Sequence, residues 1–237
     1  MLSDKEILIV IPARGGSKRL PKKNVLPLAG KPLICWTIEA ALESGLNAKI
    51  IVTSDDEEIL TIARQYKKDG VVAHKRPDEL ATDTATTIGV IKDVCSFSES
   101  IYFKPTTIVL LQPTSPLRTA VDIRAAVDLY YQKHNQNTVV SVCEVDHPTA
   151  WTGSLNDDDA LAGIDFTGKR SQEYDKEYRL NGSIYVVDYE YVMTGETLFT
   201  DSVYAYVMPK EKSVDIDDRF DYRLAELSFS AIGGFKK

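Results

Sequence analysis

The sequence predicts an α/β protein built on a Rossmann-like, three-layer and mostly parallel sheet. Short apolar runs rich in β-branched residues alternate with segments of helical spacing, which is the pattern of βαβ units. Several runs are apolar throughout, as expected of strands covered by helices on both faces. A chain of 237 residues suits one large domain. We therefore expect residues 1–237 to form a single domain whose ligands bind at the carboxyl ends of its strands.

The first half of the chain supplies four predicted strands, over residues 7–11, 49–53, 71–73 and 108–111. A helix between the first two strands starts near Pro32 and stops at Gly45, since proline suits a first helical turn and glycine a helix end. Ser54 and Glu57 have the spacing of a capping box for the next helix. A further helix is expected over residues 84–95.

The second half continues this alternation, with helices predicted over residues 120–131 and 218–229 and strands over residues 138–143, 183–187 and 203–208. Residues 147–180 are polar, charged and irregular. A long stretch without regular structure is either a disordered insertion or an arm that leaves the core.

Composition excludes several classes of partner. The formal net charge is −7, which argues against nucleic-acid or anionic-membrane binding. No apolar run reaches the length of a membrane span, and the first apolar run is too short for a signal peptide. Cys35, Cys95 and Cys143 are widely spaced, form no metal-binding cluster and indicate reduced thiols. We expect a cytoplasmic protein.

One segment has the opposite charge to the whole. Residues 7–38 contain no carboxylate but six cations, Arg14, Lys18, Arg19, Lys22, Lys23 and Lys31. Most of them lie in the loop after the first strand, where Gly15 and Gly16 let backbone N–H groups approach an anion. The loop is neither a Walker A sequence nor a dinucleotide fingerprint. Its composition alone fits an anion site or a flexible solvated loop.

Two other features place polar groups at the same sheet edge. Gln112 ends an apolar strand, where a large amide is poor core filler. Asp215 and Asp217 are two residues apart, so an extended backbone puts both carboxylates on one side. Paired carboxylates suit Mg²⁺, which takes its remaining ligands from phosphate and water. In an acidic protein such a pair is also common on the solvated surface.

Five segments in order resemble the acylneuraminate cytidylyltransferases, which are CMP-sugar synthetases. The first is Arg14-Gly15-Gly16-Ser17-Lys18-Arg19-Leu20-Pro21-Lys22-Lys23-Asn24. The others are Arg76-Pro77 with Leu80-Ala81-Thr82-Asp83-Thr84-Ala85-Thr86-Thr87, Leu111-Gln112-Pro113-Thr114-Ser115-Pro116-Leu117-Arg118, Arg170-Ser171-Gln172 with Asn181-Gly182-Ser183-Ile184-Tyr185, and Ser213-Val214-Asp215-Ile216-Asp217. Together they span nearly the whole chain. The resemblance implies a Mg²⁺-dependent enzyme that joins CMP from CTP to a nonulosonic acid such as a sialic acid.

The resemblance also assigns roles to individual residues. It implies nucleotide contacts by Ala13, Arg14, Ser17, Lys23, Asn24, Arg76 and Thr87. It implies contacts to the sugar acid by Gln112, Arg170, Gln172 and Tyr185, and metal ligation by Asp215 and Asp217. Arg14, Lys23, Asp215 and Asp217 are the expected catalytic residues, and Lys18, Arg19 and Lys22 could be rim charges. The family forms homodimers in which an arm reaches the partner's site, and residues 147–180 would be that arm.

Some features depart from the family pattern or leave alternatives open. Many relatives have Arg-Gln-Asp or Arg-Gln-Gln where this chain has Arg170-Ser171-Gln172, and some have a lysine near the position of Ala150-Trp151. The residues from Thr82 to Thr87 fit a helix cap as well as ligand contacts. Three alternative functions remain, namely a CMP-ketodeoxyoctonate synthetase, an Asp-x-Asp glycosyltransferase and a non-catalytic CTP-binding module. None of the three histidines, His74, His134 and His147, has the setting of a catalytic base.

Overall fold

A computed structural model describes residues 6–133 and 137–231 of the chain. Its strands are β1 (Ile7–Pro12), β2 (Pro27–Leu28), β3 (Lys31–Pro32), β4 (Ala48–Ser54), β5 (Val71–Lys75), β6 (Thr107–Leu111), β7 (Thr138–Glu144), β8 (Ser154–Leu155), β9 (Leu161–Ala162), β10 (Tyr178–Asp188) and β11 (Val203–Val207). Its helices are α1 (Leu33–Glu43), α2 (Glu57–Gln65), α3 (Thr87–Ser100), α4 (Ala120–Gln132), α5 (Tyr189–Thr194) and α6 (Arg219–Ala231).

Seven strands form one sheet in the order β11-β7-β10-β6-β1-β4-β5. Strand β1 lies parallel to β4 and β6, β4 lies parallel to β5, and β11 lies parallel to β7. Strand β10 is the exception, because it runs antiparallel to both of its neighbours, β6 and β7. The predicted α/β class with a mostly parallel sheet is confirmed.

The two faces of the sheet bury alternate residues of the same strands. Ile7, Ile9 and Ile11 of β1 belong to a core cluster with residues of α1, α2 and α4. Leu8 and Val10 belong to a second cluster on the other face, with residues of α3 and α5. Each of these five β1 side chains is at most 1% exposed. Burial on both faces explains why β1 is apolar at every position.

Two predicted helix starts are corrected by the structure. The proposed capping box of Ser54 with Glu57 is wrong, because Asp56 is the N-cap of α2 and accepts a hydrogen bond from the Glu58 amide at 2.7 Å. Ser54 Oγ instead accepts from the Asp56 amide at 3.0 Å. The helix expected from residue 84 begins at Thr87, and Thr86 caps it by accepting from the Gly89 amide. Thr82 and Thr84 are left in the loop that precedes the helix.

The strand predicted over residues 183–187 is the second part of the longer strand β10. Its pairing with β7 shifts register between Leu180 and Tyr185. Gly182 lies within this irregularity with φ +73°, a left-handed conformation that favours glycine. This bulge brings β10 beside the end of β6.

Residues 147–180 are folded, so the disordered alternative is wrong, although β10 begins at Tyr178 and takes the last three of these residues. The segment contains the hairpin of β8 and β9, and most of its side chains are exposed. Trp151 contacts the rings of His147 and Tyr174, with centroids 6.0 and 6.2 Å away. Its role as an arm of a dimer stays a prediction.

The structure bears on the expectations for the cysteines and for membrane-spanning helices. The three cysteines are free and buried. Within residues 6–133 and 137–231, no helix is long and apolar enough to cross a membrane. The expectations for the N-terminal segment before residue 6 and for His134 lie outside the described residues.

Candidate active site

A cleft of about 540 Å³ opens at the carboxyl ends of the central strands. Four segments line it: the loop after β1, the chain between β5 and α3, the turn after β6, and Asp217 before α6. The polar side chains in its walls belong to Arg14, Ser17, Lys18, Arg19, Lys23, Asn24, Arg76, Thr82, Asp83, Thr87, Gln112, Thr114 and Asp217. The cation-rich loop and one of the paired aspartates therefore share a single site.

The loop after β1 is held by backbone contacts and one buried side chain. The Ala13 amide donates to the Thr53 carbonyl at 3.0 Å, and the Gly15 amide donates to Asp55 Oδ1 at 3.0 Å. A Cβ on Gly15 would lie 2.5 Å from Asp56 Oδ2, so this position requires glycine. Asn24 is buried and donates to the Arg14 carbonyl at 2.9 Å. Asn24 thus fixes the loop from below.

Carboxylates hold the cations of the loop in two groups. Arg14 and Lys18 both pair with Asp83, at 2.7 and 2.6 Å. Hydrogen bonds from Lys18 and Arg14 lower the pKa of Asp83. Lys23 pairs with Asp217 at 3.2 Å and also donates to the Ile216 carbonyl. These pairs keep the cations clustered at the cleft.

Arg76 is a buried cation at the floor of the cleft. It is 5% exposed, and its guanidinium donates to the Thr53 carbonyl at 2.9 Å. Its Nε has no hydrogen-bond partner. Burial lowers the pKa of Arg76, with the charge of Asp55 acting in the opposite direction. Arg76 therefore places a positive charge at the floor of the cleft and keeps one buried donor without an acceptor.

Asp215 and Asp217 flank the buried Ile216, whose side chain packs into the core. Burial raises the pKa of Asp215; a hydrogen bond with Thr114 opposes this rise, and the charge of Asp217 adds to it. Asp215 Oδ1 has no hydrogen-bond partner. The carboxylate is therefore short of a cation or proton, as the ligand of an absent metal would be.

These two carboxylates fit a hard divalent cation better than a transition metal. Among the described residues there is no group of three or more His, Cys, Asp or Glu side chains that could hold a metal ion. Mg²⁺ does not need such a group, because one or two carboxylates suffice when substrate phosphates and water complete its octahedron. Asp215 and Asp217 are the residues that would hold it.

The bulge of β10 supports the end of β6 at Gln112. The backbone N–H of Gln112 donates to the Ser183 carbonyl at 3.4 Å. A Cβ on Gly182 would lie 3.6 Å from both Gln112 Oε1 and Asp215 Oδ2, so these two polar groups approach each other across the glycine. The buried Arg118 donates to the carbonyls of Gln112 and Ser183 at 3.2 and 2.9 Å. It fastens the turn after β6 to β10.

A smaller pocket of about 250 Å³ adjoins the cleft and shares Gln112 and Thr87 with it. Its walls are largely apolar or aromatic and come from β6, β10, α3 and the loop after α5, with Ile88, Leu110, Tyr185, Leu198 and Phe199. Glu196 and Thr197 contribute polar groups. The site thus has a cationic compartment and an apolar compartment on either side of Gln112.

Comparison with known proteins identifies the family. Residues 8–168 match the sequence profile of the cytidylyltransferases, which is more than half of the chain. The chain belongs to the cytidylyltransferase family. The fold agrees: CMP:2-keto-3-deoxy-manno-octonic acid synthetase complexed with CTP covers 97% of the chain with a TM-score of 0.71, at 17% identity.

Curated relatives are similar to this chain over nearly all of its length. The N-acylneuraminate cytidylyltransferase of Escherichia coli O18:K1:H7 is 40% identical over 221 residues, which are 93% of this chain and 51% of that protein. The CMP-N,N'-diacetyllegionaminic acid synthase of Legionella pneumophila is 36% identical over 224 residues, 93% of this chain and 94% of that protein. The chain therefore spans about half the length of the first relative and nearly all of the second.

The structure brings most of the predicted site residues together. Arg14, Ser17, Lys23, Asn24, Arg76, Thr87, Gln112 and Asp217 line the cleft. Ala13 is buried behind the cleft, Asp215 lies beside Gln112 at the bulge, and Tyr185 lines the adjoining pocket. Arg170 and Gln172 are exposed in the irregular segment and line neither compartment. Within a single chain their predicted contact with the sugar acid has no structural basis.

Sequence reasoning missed several residues of the site. Asp83 was part of a matched segment, but its pairing with Arg14 and Lys18 joins loops that are far apart in the chain. Leu198 and Phe199 read as ordinary apolar residues. Lys18 and Arg19, expected as rim charges, do line the cleft, whereas Lys22 pairs with Glu58 and does not.

Proposed function

We propose that this chain transfers CMP from CTP to the anomeric hydroxyl of a nonulosonic acid and releases pyrophosphate. The observation that carries the proposal is the two-compartment site, in which clustered cations and Asp217 line a cleft that adjoins an apolar pocket at Gln112. Asp215 lies close to Gln112, beside Gly182. The cationic compartment suits a triphosphate, and the apolar one suits an acylated sugar. The names of two relatives support the same conclusion, one matched over 51% of its length and the other over 94%.

The reaction is an in-line displacement at the α-phosphorus of CTP. The anomeric oxygen forms a bond to phosphorus, the bond to the bridging oxygen of pyrophosphate breaks, and the hydroxyl proton passes to water or a cleft carboxylate. Such phosphoryl transfer depends on positioning and on neutralising charge rather than on covalent help from the protein. Arg14 and Lys23 supply cations, and backbone N–H groups of the glycine loop suit phosphate oxygens.

Mg²⁺ is the cofactor that we propose, with Asp215 and Asp217 as its protein ligands. When bound, it would neutralise phosphate charge and help to orient the α-phosphate. Asp217 now pairs with Arg19 and Lys23. Arg19 and Lys23 are therefore the cations placed to face the phosphates if Asp217 holds the metal. Chelation by EDTA is expected to abolish turnover, and added Mg²⁺ to restore it.

For the acceptor, the proposal places the sugar acid beyond Gln112, next to Tyr185 and Phe199. The amide of Gln112 can both donate to and accept from sugar hydroxyls. The apolar walls suit an acyl group or a deoxygenated carbon. N-acylneuraminic and legionaminic acids both carry such groups, so the proposed acceptor is the class of nonulosonic acids.

We also propose a homodimer in the cytoplasm. Val203 and Val207 of the edge strand β11 are exposed. Val142 of β7 is in register with Val207 on one side and with the exposed Leu180 of β10 on the other, so Val207 and Leu180 share one face of the sheet. A second copy of the chain would cover this apolar strip. The same association could bring Arg170 and Gln172 to the partner's site. Sedimentation that shows a fully active monomer would refute the dimer.

The proposed function is tested by pyrophosphate release with CTP, Mg²⁺ and a panel of acceptor acids. The panel contains N-acetylneuraminic, diacetyllegionaminic and ketodeoxyoctonic acids, so that the alternative CMP-ketodeoxyoctonate synthetase is measured in the same plate. Release with a nonulosonic acid supports the proposal. CTP binding without any release would favour the non-catalytic module, and release of a nucleotide from a sugar donor would favour a glycosyltransferase.

Asp217→Ala tests the metal role within the same assay. It is expected to lower turnover by at least about a hundred-fold, because a carboxylate of the metal site is removed. Asp218→Ala is the control, because Asp218 is the next residue but serves the start of α6, where it accepts from the amides of Phe220 and Asp221. Near-normal turnover of Asp217→Ala would remove Asp217 from the metal site.

A further inference from the structure

Arg76 also belongs to a second group of ionisable side chains, which lies beneath the cleft. Its members are Arg76, His74 and Asp93, and this set is called the Arg76 cluster below. His74 and Arg76 lie at the end of β5, and Asp93 lies on α3, which covers that strand. His74 is buried, and its ring packs on Phe97 with centroids 4.3 Å apart. The proposed reaction gives His74 and Asp93 no task.

Thr53 joins the members of the cluster. Its carbonyl accepts from the Arg76 guanidinium at 2.9 Å, and its hydroxyl lies 3.1 Å from His74 Nδ1. Asp93 Oδ2 lies 3.6 Å from the same His74 nitrogen, too far for a hydrogen bond. The carboxylate therefore faces the imidazole without being bound to it.

Two buried atoms of opposite character remain unpartnered in this cluster. Arg76 Nε is a donor without an acceptor, and Asp93 Oδ2 is an acceptor without a donor. Buried polar groups are nearly always satisfied, so a pair of complementary orphans indicates an interaction that forms in another state of the protein. That other state would be the one with a nucleotide in the cleft, because contact with the nucleotide would shift the Arg76 guanidinium.

The negative charge of Asp93 acts on two neighbours, the Arg76 guanidinium and the His74 imidazole. Asp55, Asp93 and Arg14 act on Arg76, while Glu79 is the other carboxylate that acts on Asp93. Burial lowers the pKa of His74, the charge of Asp93 opposes this, and the charge of Arg76 adds to it. The lowered pKa favours the neutral form of His74, so that Asp93 acts mainly on Arg76. Burial raises the pKa of Asp93, and the charges of His74 and Arg76 oppose this rise.

We propose that Asp93 and His74 are positioning residues for Arg76. When the nucleotide is bound, the Asp93 carboxylate pairs with the Arg76 guanidinium and orients it. In acid, protonated His74 pairs with Asp93 instead, and nucleotide binding becomes weaker. The inference rests on the proposed function, because it takes Arg76 as a nucleotide contact. The lowered pKa of His74 places the loss of affinity below the ordinary value of 6.5.

The test is calorimetric titration of CTP into the wild type, Asp93→Asn and His74→Gln at pH 8.0 and pH 5.5. Asp93→Asn is expected to raise the Kd for CTP about ten-fold at pH 8.0, the loss typical of a charged hydrogen bond. Between pH 8.0 and pH 5.5, His74→Gln is expected to lose less affinity for CTP than the wild type loses. Titration of the CTP phosphates is common to all three proteins and cancels in the comparison.

Asp69→Asn is the matched control, because Asp69 is an exposed carboxylate just before β5 and is outside the cluster. Thermal melting reports whether each variant folds. A merely structural role would lower Tm but leave the Kd and its pH dependence unchanged. If Asp93→Asn fails to fold, the pH dependence of His74→Gln decides alone: a loss equal to that of the wild type overturns the inference.

The two proposals fail in different ways. A wild type that does not bind CTP refutes the proposed function, and the inference falls with it. A wild type that binds CTP while both variants match it at both pH values refutes the inference alone. Weaker binding by Asp93→Asn together with a flatter pH dependence in His74→Gln supports it.

Discussion

Lys22 and Lys23 are adjacent in the chain and have opposite surroundings, which makes them a sharp test of the cleft. The Lys23 side chain is 11% exposed and faces Asp217 and the Ile216 carbonyl, whereas the Lys22 side chain is 65% exposed and pairs with Glu58. Lys23→Met keeps the length of the side chain and removes its charge. Only this variant should affect the reaction, because only Lys23 lines the cleft.

The expected loss follows from the burial of Lys23. Two unit charges about 4 Å apart interact by roughly 4 kcal/mol at the effective dielectric of a protein surface. Part of this interaction energy is offset, because Lys23 must break its ion pair with Asp217 to reach a phosphate. In the variant, water also solvates the phosphate in place of the lysine. A net loss of about 2 to 3 kcal/mol remains, which lowers kcat/KM by about 30-fold to 150-fold.

The assay is the initial rate of pyrophosphate release over a range of CTP concentrations at a saturating acceptor concentration. Lys22→Met is the control and should retain the wild-type kcat/KM, since exposed ion pairs contribute little. Equal losses in both variants would mean that general charge, rather than position in the cleft, governs the rate. An unchanged Lys23→Met would refute the assignment of Lys23 to the phosphates.

Three further predictions concern single side chains of the site and the core. Asp83→Asn frees two cations of the cleft and should lower the Kd for CTP, measured by calorimetry; a higher Kd would show that Asp83 itself assists the ligand. Gly182→Ala should reduce the free energy of unfolding by about 1 to 2 kcal/mol, because alanine is strained at φ +73°, and a calorimetric Tm equal to that of the wild type would contradict this. Asp122 has a pKa lowered in the fold, since hydrogen bonds from Thr119 and the charge of Lys212 outweigh its burial. Asp122→Asn should therefore cost about 2 kcal/mol at pH 7, and urea melts should show this difference shrinking below the ordinary pKa of 3.8 as wild-type Asp122 also becomes protonated.

The central strands were predictable because burial on both faces leaves a plain signal. Strand β1 is apolar at every position that the sheet covers, and β6 is apolar at every position after Thr107. The direction of β10 was not predictable, because the apolar run of residues 183–187 reads alike in a parallel and an antiparallel strand. Helix α5 has only six residues, too few to show a helical period.

The site was predictable where its chemistry is local in sequence. The loop after β1 and the pair Asp215 and Asp217 carry their signal in residue type and spacing. The ion pairs of Asp83 and the Arg76 cluster depend on which loops meet in space, which spacing does not encode. Arg170 and Gln172 show the converse limit, since a matched sequence motif does not place them at the cleft of their own chain.

The late position of β10 in the chain has a consequence for synthesis of the protein. This strand lies between β6 and β7 in the sheet, although it is made after both. Domains generally fold as units, so the sheet cannot be completed until residues 178–188 have been made. Until then the edges of β6 and β7 that pair with β10 have no partner, and unpaired strand edges promote aggregation. A chain terminated before Tyr178 should therefore aggregate rather than persist as a partly folded protein.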